Sequence, residues 1–412
     1  MNVGIERLYA YVPQLALRLP DLAAARGIAP EKLTHGLGVQ EMAVVPACED
    51  VVTLAASAGA GVVRAAGIDP ESIGLLVVAT ETGVDHAKPV GIFVHELLGI
   101  GPRCRVYETK HACYAGTAAL MAAADWVRAG GRRARHALVI SADIARYELR
   151  SPGEPTQGAG AVAMLVGPEP DVLVLGPESG TYAANVYDFW RPLGQREAIV
   201  DGKYSVSCYL DALAGAFTAY RDLEDPALEP DEPLTDRLAR LLFHTPFPKM
   251  AMKAHRQLVE IDWRAAPGRW RAIQPRFEEA VLGSYRAQTA RALEVPALVG
   301  NTYTASLYLC LAGLLEAEGP SLANRRLGFF SYGSGCGAEY FTGTVAADID
   351  DVRDCGVADA LAQRRYVDVD EYERLHRGVA GEDPPVGFSG EFLFHGERQD
   401  RREYGRTRAL AA

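Results

Sequence analysis

Three residues with chemically useful side chains stand where the sequence passes from one type of element to the next. Cys113 lies in ETKHACYAGTAAL, between a strand-like stretch and a run of small residues that favour a helix. Glu81 directly follows the apolar run IGLLVVAT, and His244 follows an apolar segment and precedes two prolines. In open α/β sheets, the ends of strands face crevices. The positions therefore make a thiol, a carboxylate and an imidazole candidates for catalysis.

Cys113 is the candidate nucleophile. A thiol at the start of a helix receives the first-turn N–H groups and the positive end of the helix dipole, which lowers the thiol pKa and favours the thiolate. A backbone N–H nearby could also bind the oxyanion of an acyl intermediate. The alternative is a packed core cysteine without chemistry.

Glu81 and His244 are candidates for proton transfer. A partly desolvated carboxylate at a strand end would have a raised pKa and could act as a general base or acid near neutral pH. A solvated loop glutamate is the alternative, and Asp85 or His86 fit the same reasoning. The rigid backbone around His244 suits an imidazole that donates to a carbonyl oxygen or relays a proton, although a structural histidine fits as well.

Two further patterns indicate binding. Lys249, Lys253 and Arg256 follow one another at spacings of four and three, which places three cations on one helical face. They could bind the phosphates of phosphopantetheine or coenzyme A, or form a solvated basic face. The alternating glycines of FFSYGSGCGAEYF would let the backbone turn sharply beside a bound group. His111 and Cys113 lack the second pair of ligands that a zinc site needs, so no metal is expected.

The elements around these residues predict an α/β fold. Apolar runs at 73–80, 135–143 and 160–167 read as buried strands, and the Ala-rich stretches 50–67 and 113–131 read as helices. The stretch 221–242, acidic and proline-rich at its start, predicts a surface loop that leads into a helix. The pattern of a turn of small residues and an apolar helix recurs late in the chain, in PALVGNTYTASLYLCLAGLLEA, and that of a strand and a Gly-rich turn recurs in RRLGFFSYGSG. Two similar halves, 1–172 and 173–412, are predicted, with one site where their central strands end.

Composition narrows the class of protein. The chain has 412 residues and a net charge of −11, which argues against nucleic-acid binding because phosphate neutralisation requires an excess of Lys and Arg. Seven cysteines without CxxC spacing fit a reducing cytosol. No leader pattern and no apolar run of membrane-spanning length occurs. These observations predict a cytoplasmic protein without a membrane segment.

Six ordered blocks of the sequence resemble one family, the 3-hydroxy-3-methylglutaryl-coenzyme A (HMG-CoA) synthases of the thiolase-like condensing enzymes. ATETGVD resembles the family's general-base segment, KHACYAGTAAL its nucleophile segment and HTPFPKMAMKAHR its catalytic histidine segment. YDFWRP…VDGKYSVSCYLDAL, VGNTYTASLYL and SYGSGCGAEYF resemble its substrate-lining blocks. The resemblance covers nearly the whole chain and implies a layered α-β-α-β-α fold built from two pseudo-repeated halves.

The resemblance also implies an acyltransferase activity with assigned roles. Cys113 would carry the acetyl group, Glu81 would act as the base, and His244 would polarise the acceptor carbonyl. Condensation with a 3-ketoacyl thioester and hydrolysis would leave a carboxymethyl branch, without a redox cofactor or metal. The residues expected to orient the substrate or to border the pantetheine channel are Asp188, Lys249, Lys253, Asn301 and Ser334.

The carrier of the acyl groups is the open question between two subfamilies. The enzymes that install β-branches on polyketides held by acyl carrier proteins are resembled by four segments: ETKHACYAGTA, HTPF followed by KAHR, YGSGC and 364–378. This interpretation is preferred. YDFWRP and VGNTYTASLY look like the mevalonate-pathway enzymes, which use coenzyme A thioesters. An acidic carrier would dock on arginines, for which the candidates are Arg132, Arg133, Arg256, Arg264 and Arg269. The resemblance implies a homodimer.

Two readings from other classes remain. A decarboxylating or Claisen-type ketoacyl synthase on the same fold would need a His-Asn or His-His pair beside its cysteine and would not need Glu81. A non-catalytic scaffold that binds acyl carriers would fail to become acetylated at Cys113.

Overall fold

The computed structural model describes residues 2–130, 136–224, 228–378, 384 and 388–407. The strands are β1 Gly4–Tyr11, β2 Leu15–Arg18, β3 Glu41–Val44, β4 Ile73–Ala79, β5 Arg105–Thr109, β6 His136–Ile144, β7 Ala159–Gly167, β8 Leu173–Ala183, β9 Phe189–Trp190, β10 Ile199–Val200, β11 Arg240–Phe243, β12 Arg326–Gly333, β13 Gly337–Val345, β14 Arg365–Tyr366, β15 Phe392–Arg398 and β16 Arg401–Arg406. The α-helices are α1 Leu19–Arg26, α2 Pro30–Thr34, α3 Val51–Ala66, α4 Val90–Leu97, α5 Ala115–Arg128, α6 Gly202–Glu224, α7 Pro248–Arg264, α8 Pro267–Ile273, α9 Phe277–Gln288, α10 Glu294–Val299, α11 Ser306–Leu322, α12 Val357–Ala362 and α13 Val369–His376.

Nine strands form one continuous sheet in the order β11-β12-β13-β8-β1-β7-β6-β4-β5. The two arms of this sheet have the same internal pattern. In one arm β4 pairs in parallel with β6, and β6 and β7 are antiparallel; in the other β11 pairs in parallel with β12, and β12 and β13 are antiparallel. The arms join where β1 pairs with β8 at Gly4↔Val174 and Ile5↔Leu173. The late part of the chain therefore repeats the early pattern, as its sequence predicts.

Helices cover both faces of the sheet and also lie between its arms. Helix α5 packs on β4 and β6, and α11 packs on β11, β12 and β1, whereas α3 packs on the opposite face of β1, β6 and β7. Strand β4 is buried on both sides: Leu75 and Val77 belong to one core, and Leu76 and Val78 belong to another. Strands buried on both faces read as continuous apolar runs. The predicted layered α/β architecture is confirmed.

The predicted elements are found with small shifts. The apolar runs form β4, β6 and β7, and the Ala-rich stretches form α3 and α5, although Gly131 and Arg135 lie outside the described residues. Asp50 caps α3 by accepting from the N–H of Thr53, and Gly67 ends the helix in the left-handed conformation at φ 62°. The predicted helix at the end of 221–242 is wrong: residues 234–237 form a short 3₁₀ turn, and the chain then enters β11.

Close approach of α5 and α11 brings the two halves together beneath Cys113. A Cβ atom on Gly116 would lie 2.5 Å from Ser141 Oγ and 2.6 Å from the carbonyl oxygen of Thr304. The contact between the two helices includes a hydrogen bond, because the hydroxyls of Thr117 and Tyr308 lie 2.8 Å apart. Glycine at 116 is required for this approach, which sets where the helix begins.

None of the described helices is both long and apolar enough to span a membrane. Near the end of the chain, the β15–β16 hairpin packs against the start of α3. The N–H of Phe394 donates to the carbonyl of Cys48 at 2.7 Å, and Arg402 donates to Asp50 at 2.7 Å. Residues 408–412 lie outside the described part of the chain.

Candidate active site

One cavity of about 520 Å³ is lined by half of the residues with predicted roles. Cys113, His244, Asn301 and Ser334 line it. Its wall also contains aromatic and apolar side chains, namely Tyr147, Phe189, Val206, Tyr209, Phe247, Met250, Tyr303 and Tyr332. A largely apolar cavity with a few convergent polar groups is typical of a small-molecule site.

A tight turn presents Cys113 at this cavity. Strand β5 ends at Thr109 and helix α5 begins at Ala115, so five residues separate the two elements. Ala112 has φ +43°, a left-handed conformation that is unusual for a residue with a Cβ atom. Tyr114 anchors the other side of the turn by donating to Glu339 at 2.7 Å. Cys113 as a residue is half-buried at the helix entrance.

The predicted lowering of the Cys113 pKa is wrong for the resting site. Burial raises the thiol pKa well above its usual value, and the charges of Glu81, Asp143 and Asp188 raise it further. The reason is that the fold buries the thiol and brings three carboxyl groups from distant parts of the chain near it, while the helix begins only two positions later. Cys113 is therefore a neutral thiol at rest, and its proton must leave as it attacks an acyl group.

Glu81 is a buried carboxyl group with an unsatisfied oxygen. It is 9% exposed, and its Oε1 has no hydrogen-bond partner within the described residues. Burial, and to a smaller extent the charge of Asp143, raise the Glu81 pKa from about 4.5 to about 8, whereas Arg191 opposes this shift. Glu81 is absent from the cavity lining, but its charge acts on the Cys113 thiol. Its protonation state can change near neutral pH, as a general base requires.

Asp143, at the end of β6, holds the loop that carries Glu81. One carboxylate oxygen accepts from the N–H of Glu81 at 2.9 Å, from the hydroxyl of Thr80 at 2.9 Å, and from the N–H and hydroxyl of Thr82 at 3.0 and 2.7 Å. The other accepts from the N–H and hydroxyl of Thr304 at 3.0 and 2.6 Å. This fully buried carboxylate therefore ties the Glu81 loop to the second half of the chain.

His244 directly follows β11 and is 2% exposed. Its backbone N–H donates to Phe330 at 2.7 Å, and its carbonyl accepts from the hydroxyl of Tyr209 at 2.7 Å. Burial lowers the imidazole pKa from 6.5 to about 3, so the ring is neutral at physiological pH. A neutral imidazole can donate one N–H to a carbonyl oxygen without carrying a charge.

The remaining predicted residues differ in their placement. Asn301 lines the cavity, and its side-chain oxygen accepts from the N–H of Tyr303 at 2.9 Å. Asp188 is fully buried and lies outside the lining: it accepts from the hydroxyl of Tyr332 at 2.7 Å and from the N–H of Gly335 at 3.0 Å. Asp188 therefore holds the glycine-rich turn that presents Ser334 to the cavity.

Lys249 and Lys253 lie outside the cavity lining, exposed on the first turns of α7. Phe247 and Met250, which flank Lys249 in sequence, do line the cavity. Both lysines are therefore exposed on a helix whose first turn contributes to the cavity, and neither lines it. Among the described residues, no group of three or more His, Cys, Asp or Glu side chains could hold a metal ion.

Sequence reasoning placed Phe189 and Tyr303 in substrate-lining blocks but missed Tyr147, which completes the aromatic wall of the site. Tyr147 and Tyr303 are buried phenols whose pKa values are raised, first by burial and then by charges that include those of Glu81 and Cys113. Phe189 contacts both, with ring centroids 6.2 and 5.8 Å apart. Tyr147 follows the end of β6 by three residues, so the strand-end rule that selected Glu81 would also have selected this region.

Comparison with known proteins identifies the family. The model for "Hydroxymethylglutaryl-coenzyme A synthase N terminal" matches residues 1–171, and the corresponding C-terminal model matches 174–281 and 269–377. The chain belongs to the HMG-CoA synthase family. An HMG-CoA synthase of Enterococcus faecalis is 38% identical over 352 residues, which cover 84% of each chain.

Solved structures of this family share the whole fold. The structure described as "MvaS in complex with 3-hydroxy-3-methylglutaryl coenzyme A" is 45% identical with a TM-score of 0.92, and the match covers 98% of this chain and 99% of the other. The HMG synthase of the curacin biosynthetic pathway is 28% identical with a TM-score of 0.85, covering 99% and 100%. The predicted family and its thiolase-like fold are confirmed.

Proposed function

We propose that this HMG-CoA synthase family member condenses acetyl-CoA with acetoacetyl-CoA and releases HMG-CoA. The observation that carries the proposal is a neutral thiol and a neutral imidazole that line one cavity, with a buried carboxyl group whose charge acts on the thiol. Each has the protonation behaviour that one step of an acyl transfer and aldol sequence requires.

The first step is acetyl transfer. The sulfur of Cys113 attacks the acetyl carbonyl, its proton leaves, and the thiol of coenzyme A departs protonated, so that an acetyl thioester forms on the enzyme. Because burial makes the free thiolate costly, the neutral acetyl-cysteine suits this environment better than the ionised cysteine does.

Condensation then uses the other two groups. The ionised form of Glu81 removes a proton from the acetyl methyl group, and the resulting enolate forms a carbon–carbon bond with the ketone carbon of the acceptor. His244 donates its N–H to the ketone oxygen, where negative charge develops. The alkoxide then takes up one proton to become an alcohol, and Glu81 releases the proton that it removed from the methyl group, so that no net proton is consumed. Water finally cleaves the thioester, which frees Cys113 and leaves a carboxylate.

Coenzyme A is proposed as the carrier on three grounds. The 38% and 45% identical relatives carry names that refer to HMG-CoA or its synthase, whereas the curacin enzyme is 28% identical. Lys249 and Lys253 provide two exposed cations for the phosphates of coenzyme A, on the helix whose residue Met250 lines the cavity. The net charge of −11 disfavours an acidic carrier.

The arginines expected to dock an acyl carrier give that alternative little support. Arg256 pairs with Glu260 and Glu278, and Arg264 also pairs with Glu260. Arg269 lies 3.6 Å from Asp236. Arg132 and Arg133 lie outside the described residues. Most of the candidate charge is therefore already compensated within the chain.

Polyketide β-branching on acyl carrier proteins is kept as the second candidate. It rests on the segments quoted from the sequence and on the likeness to the curacin enzyme, which has also been solved "in Complex with Acetyl Donor-ACP", with 28% identity and a TM-score of 0.87. Under either proposal the protein acts without a resident cofactor and as a homodimer in the cytoplasm.

Intact-protein and peptide mass spectrometry test both proposals. The protein is incubated with acetyl-CoA or with an acetylated acyl carrier protein, and the acetyl group on Cys113 is quantified over time. Acetoacetyl-CoA or its carrier-bound equivalent is then added, and the product is measured. Faster acetylation from acetyl-CoA is expected. Acetylation only from the carrier would replace the first proposal with the second, and acetylation from neither would remove both.

A further inference from the structure

We propose that helix α13 sets the position of the cavity wall that carries Tyr147, through the buried side chain of Gln157 and the half-buried side chain of His376, and thereby controls turnover at Cys113. The wall segment is residues 146–157, between β6 and β7. Helix α13 lies in the stretch 364–378, one of the segments that resemble the polyketide enzymes, and no residue of this stretch lines the cavity. The proposal rests on the proposed function for its assay, and it assigns positioning residues, not catalytic ones.

The wall segment supplies a quarter of the cavity lining. Its contributing residues are Tyr147, Glu148, Ser151, Pro152, Gly153 and Thr156, among 24 in all. The phenol of Tyr147 is near enough to Cys113 and Glu81 for their charges to raise its pKa. A Cβ atom on Gly153 would lie 2.7 Å from the Tyr147 ring, so the ring rests on the glycine backbone. Displacement of the segment would therefore change the space around the thiol.

Both backbone polar groups of Tyr147 are held by side chains. Its N–H donates to Gln157 Oε1 at 2.7 Å, and its carbonyl oxygen lies 3.0 Å from His376 Nε2. Gln157 Nε2 in turn donates to the hydroxyl of Tyr372 at 2.6 Å. Arg146 donates to the backbone carbonyl of His376 at 2.7 Å. Tyr372 and His376 are both on α13, one turn apart.

A buried ion pair anchors the same network. Glu154, which is 1% exposed, accepts from Arg26 of α1 through both carboxylate oxygens at 2.7 and 2.9 Å. Arg26 also lies 2.9 Å from Glu373 of α13. Glu154 further accepts from the hydroxyl of Tyr372 at 3.2 Å and from the N–H of Arg150 at 2.8 Å.

The same anchor holds strained backbone in the wall. Arg150 has φ +68°, a left-handed conformation that costs free energy for a residue with a Cβ atom. Such a conformation persists only where surrounding contacts fix it. The wall segment is thus held by contacts with both α1 and α13, and the bonds of Gln157 to Tyr147 and Tyr372 are buried.

Rate is sensitive to this placement because acyl transfer needs near-contact geometry. A displacement of about 1 Å can reduce a rate by about 100-fold. Removing one hydrogen bond to the Tyr147 backbone should shift the wall without removing any group that touches the substrate. Arg26 is a poor choice for mutation, because its loss would leave Glu154 charged and buried without its partner, which threatens folding.

The test uses three variants of the full-length protein and one control. His376→Leu removes the nitrogen that faces the Tyr147 carbonyl, and His376→Gln restores an amide donor at similar reach. Tyr372→Phe removes one hydroxyl and keeps the ring. Arg374→Ala, on the exposed side of the same helix, is the control. Steady-state kcat and KM with acetyl-CoA and acetoacetyl-CoA are measured per active site, titrated by alkylation of Cys113.

We expect kcat of His376→Leu and Tyr372→Phe to fall by about tenfold or more, with a smaller change in KM, and His376→Gln to recover to within about threefold. Arg374→Ala should match the parent. A lower melting temperature with unchanged kcat per titrated thiol would overturn the inference, as would failure of His376→Gln to recover activity. If the parent protein itself forms no acetyl-Cys113, the proposed function fails first, which the same measurement reports separately.

Discussion

Replacing Glu81 by glutamine should stop condensation and, at pH 8, stabilise the protein. Burial costs free energy only when it forces a carboxyl group to stay protonated or to ionise without water. A group whose pKa is raised on folding therefore lowers the stability of the folded state once the pH exceeds its pKa in the unfolded chain. Its contribution is complete below pH 4.5 and is lost as the pH rises toward the folded pKa of about 8. The amide of glutamine does not titrate, so Glu81→Gln removes this loss.

The size of this change in the free energy of unfolding follows from the shift of the Glu81 pKa from about 4.5 to about 8. Solvent screens the group little, since Glu81 is only 9% exposed. At about 1.4 kcal/mol per pKa unit, the loss is under about 1 kcal/mol at pH 5, about 3 at pH 7 and about 4 at pH 8. The unpartnered amide adds a roughly pH-independent cost of about 1 to 3 kcal/mol. The diagnostic quantity is therefore the change between pH 5 and pH 8, about 3 kcal/mol.

Equilibrium urea unfolding at the two pH values, followed by tryptophan fluorescence, measures this change. Glu96→Gln, on an exposed face of α4, is the matched control and should leave the difference between the two pH values as in the parent. Cys113 acetylation should survive in Glu81→Gln, while product formation should be lost. A stability difference that is equal at pH 5 and pH 8 would refute the buried, neutral carboxyl group and with it the physical basis for the base.

Three further outcomes follow from the structure. Cys113→Ala should abolish both acetylation and condensation, and residual product by mass spectrometry would contradict the nucleophile. Asp143→Asn should lower the urea unfolding free energy by about 3 kcal/mol, because an amide nitrogen then faces donors, and should slow condensation more than acetylation. His136, 2.8 Å from Glu6, has a raised pKa because that carboxylate accepts from it. His136→Gln should therefore reduce the melting temperature at pH 6 and have less effect at pH 8.5, as calorimetry can check.

Local patterns predict the elements that position the site. Strand β4 can be predicted because its seven residues, IGLLVVA, contain no polar residue that would mark a surface face. Helix α3 can be predicted because Asp50 and Gly67 mark its two ends. The late strand–turn–strand around Gly335 is predicted for the same reason. In each case the deciding interactions lie within a few residues of one another in the chain.

The failures occur where distant contacts decide. Residues 240–243 have a composition that suits a helix, and pairing with β12 makes them a strand. The helix-terminus rule predicts a low pKa for Cys113, and burial, together with three carboxyl groups brought in by the segment after β4, by β6 and by the segment before β9, raises it instead. Nothing near Tyr147 in the sequence signals that α13, over 200 residues later, holds its backbone.

Asp143 shows why the site needs both halves of the chain. Its carboxylate can stay buried only because six donors satisfy it, four from residues 80–82 and two from Thr304. Burial raises the pKa of Glu81, whose Oε1 is left without a donor, and the charge of Asp143 raises it further. One satisfied carboxylate thus tunes an unsatisfied one, and its last two donors come from the second half. Loosening the contact between the halves would expose both groups to water and return the Glu81 pKa toward its usual value, which couples proton transfer directly to the packing of α11 against α5.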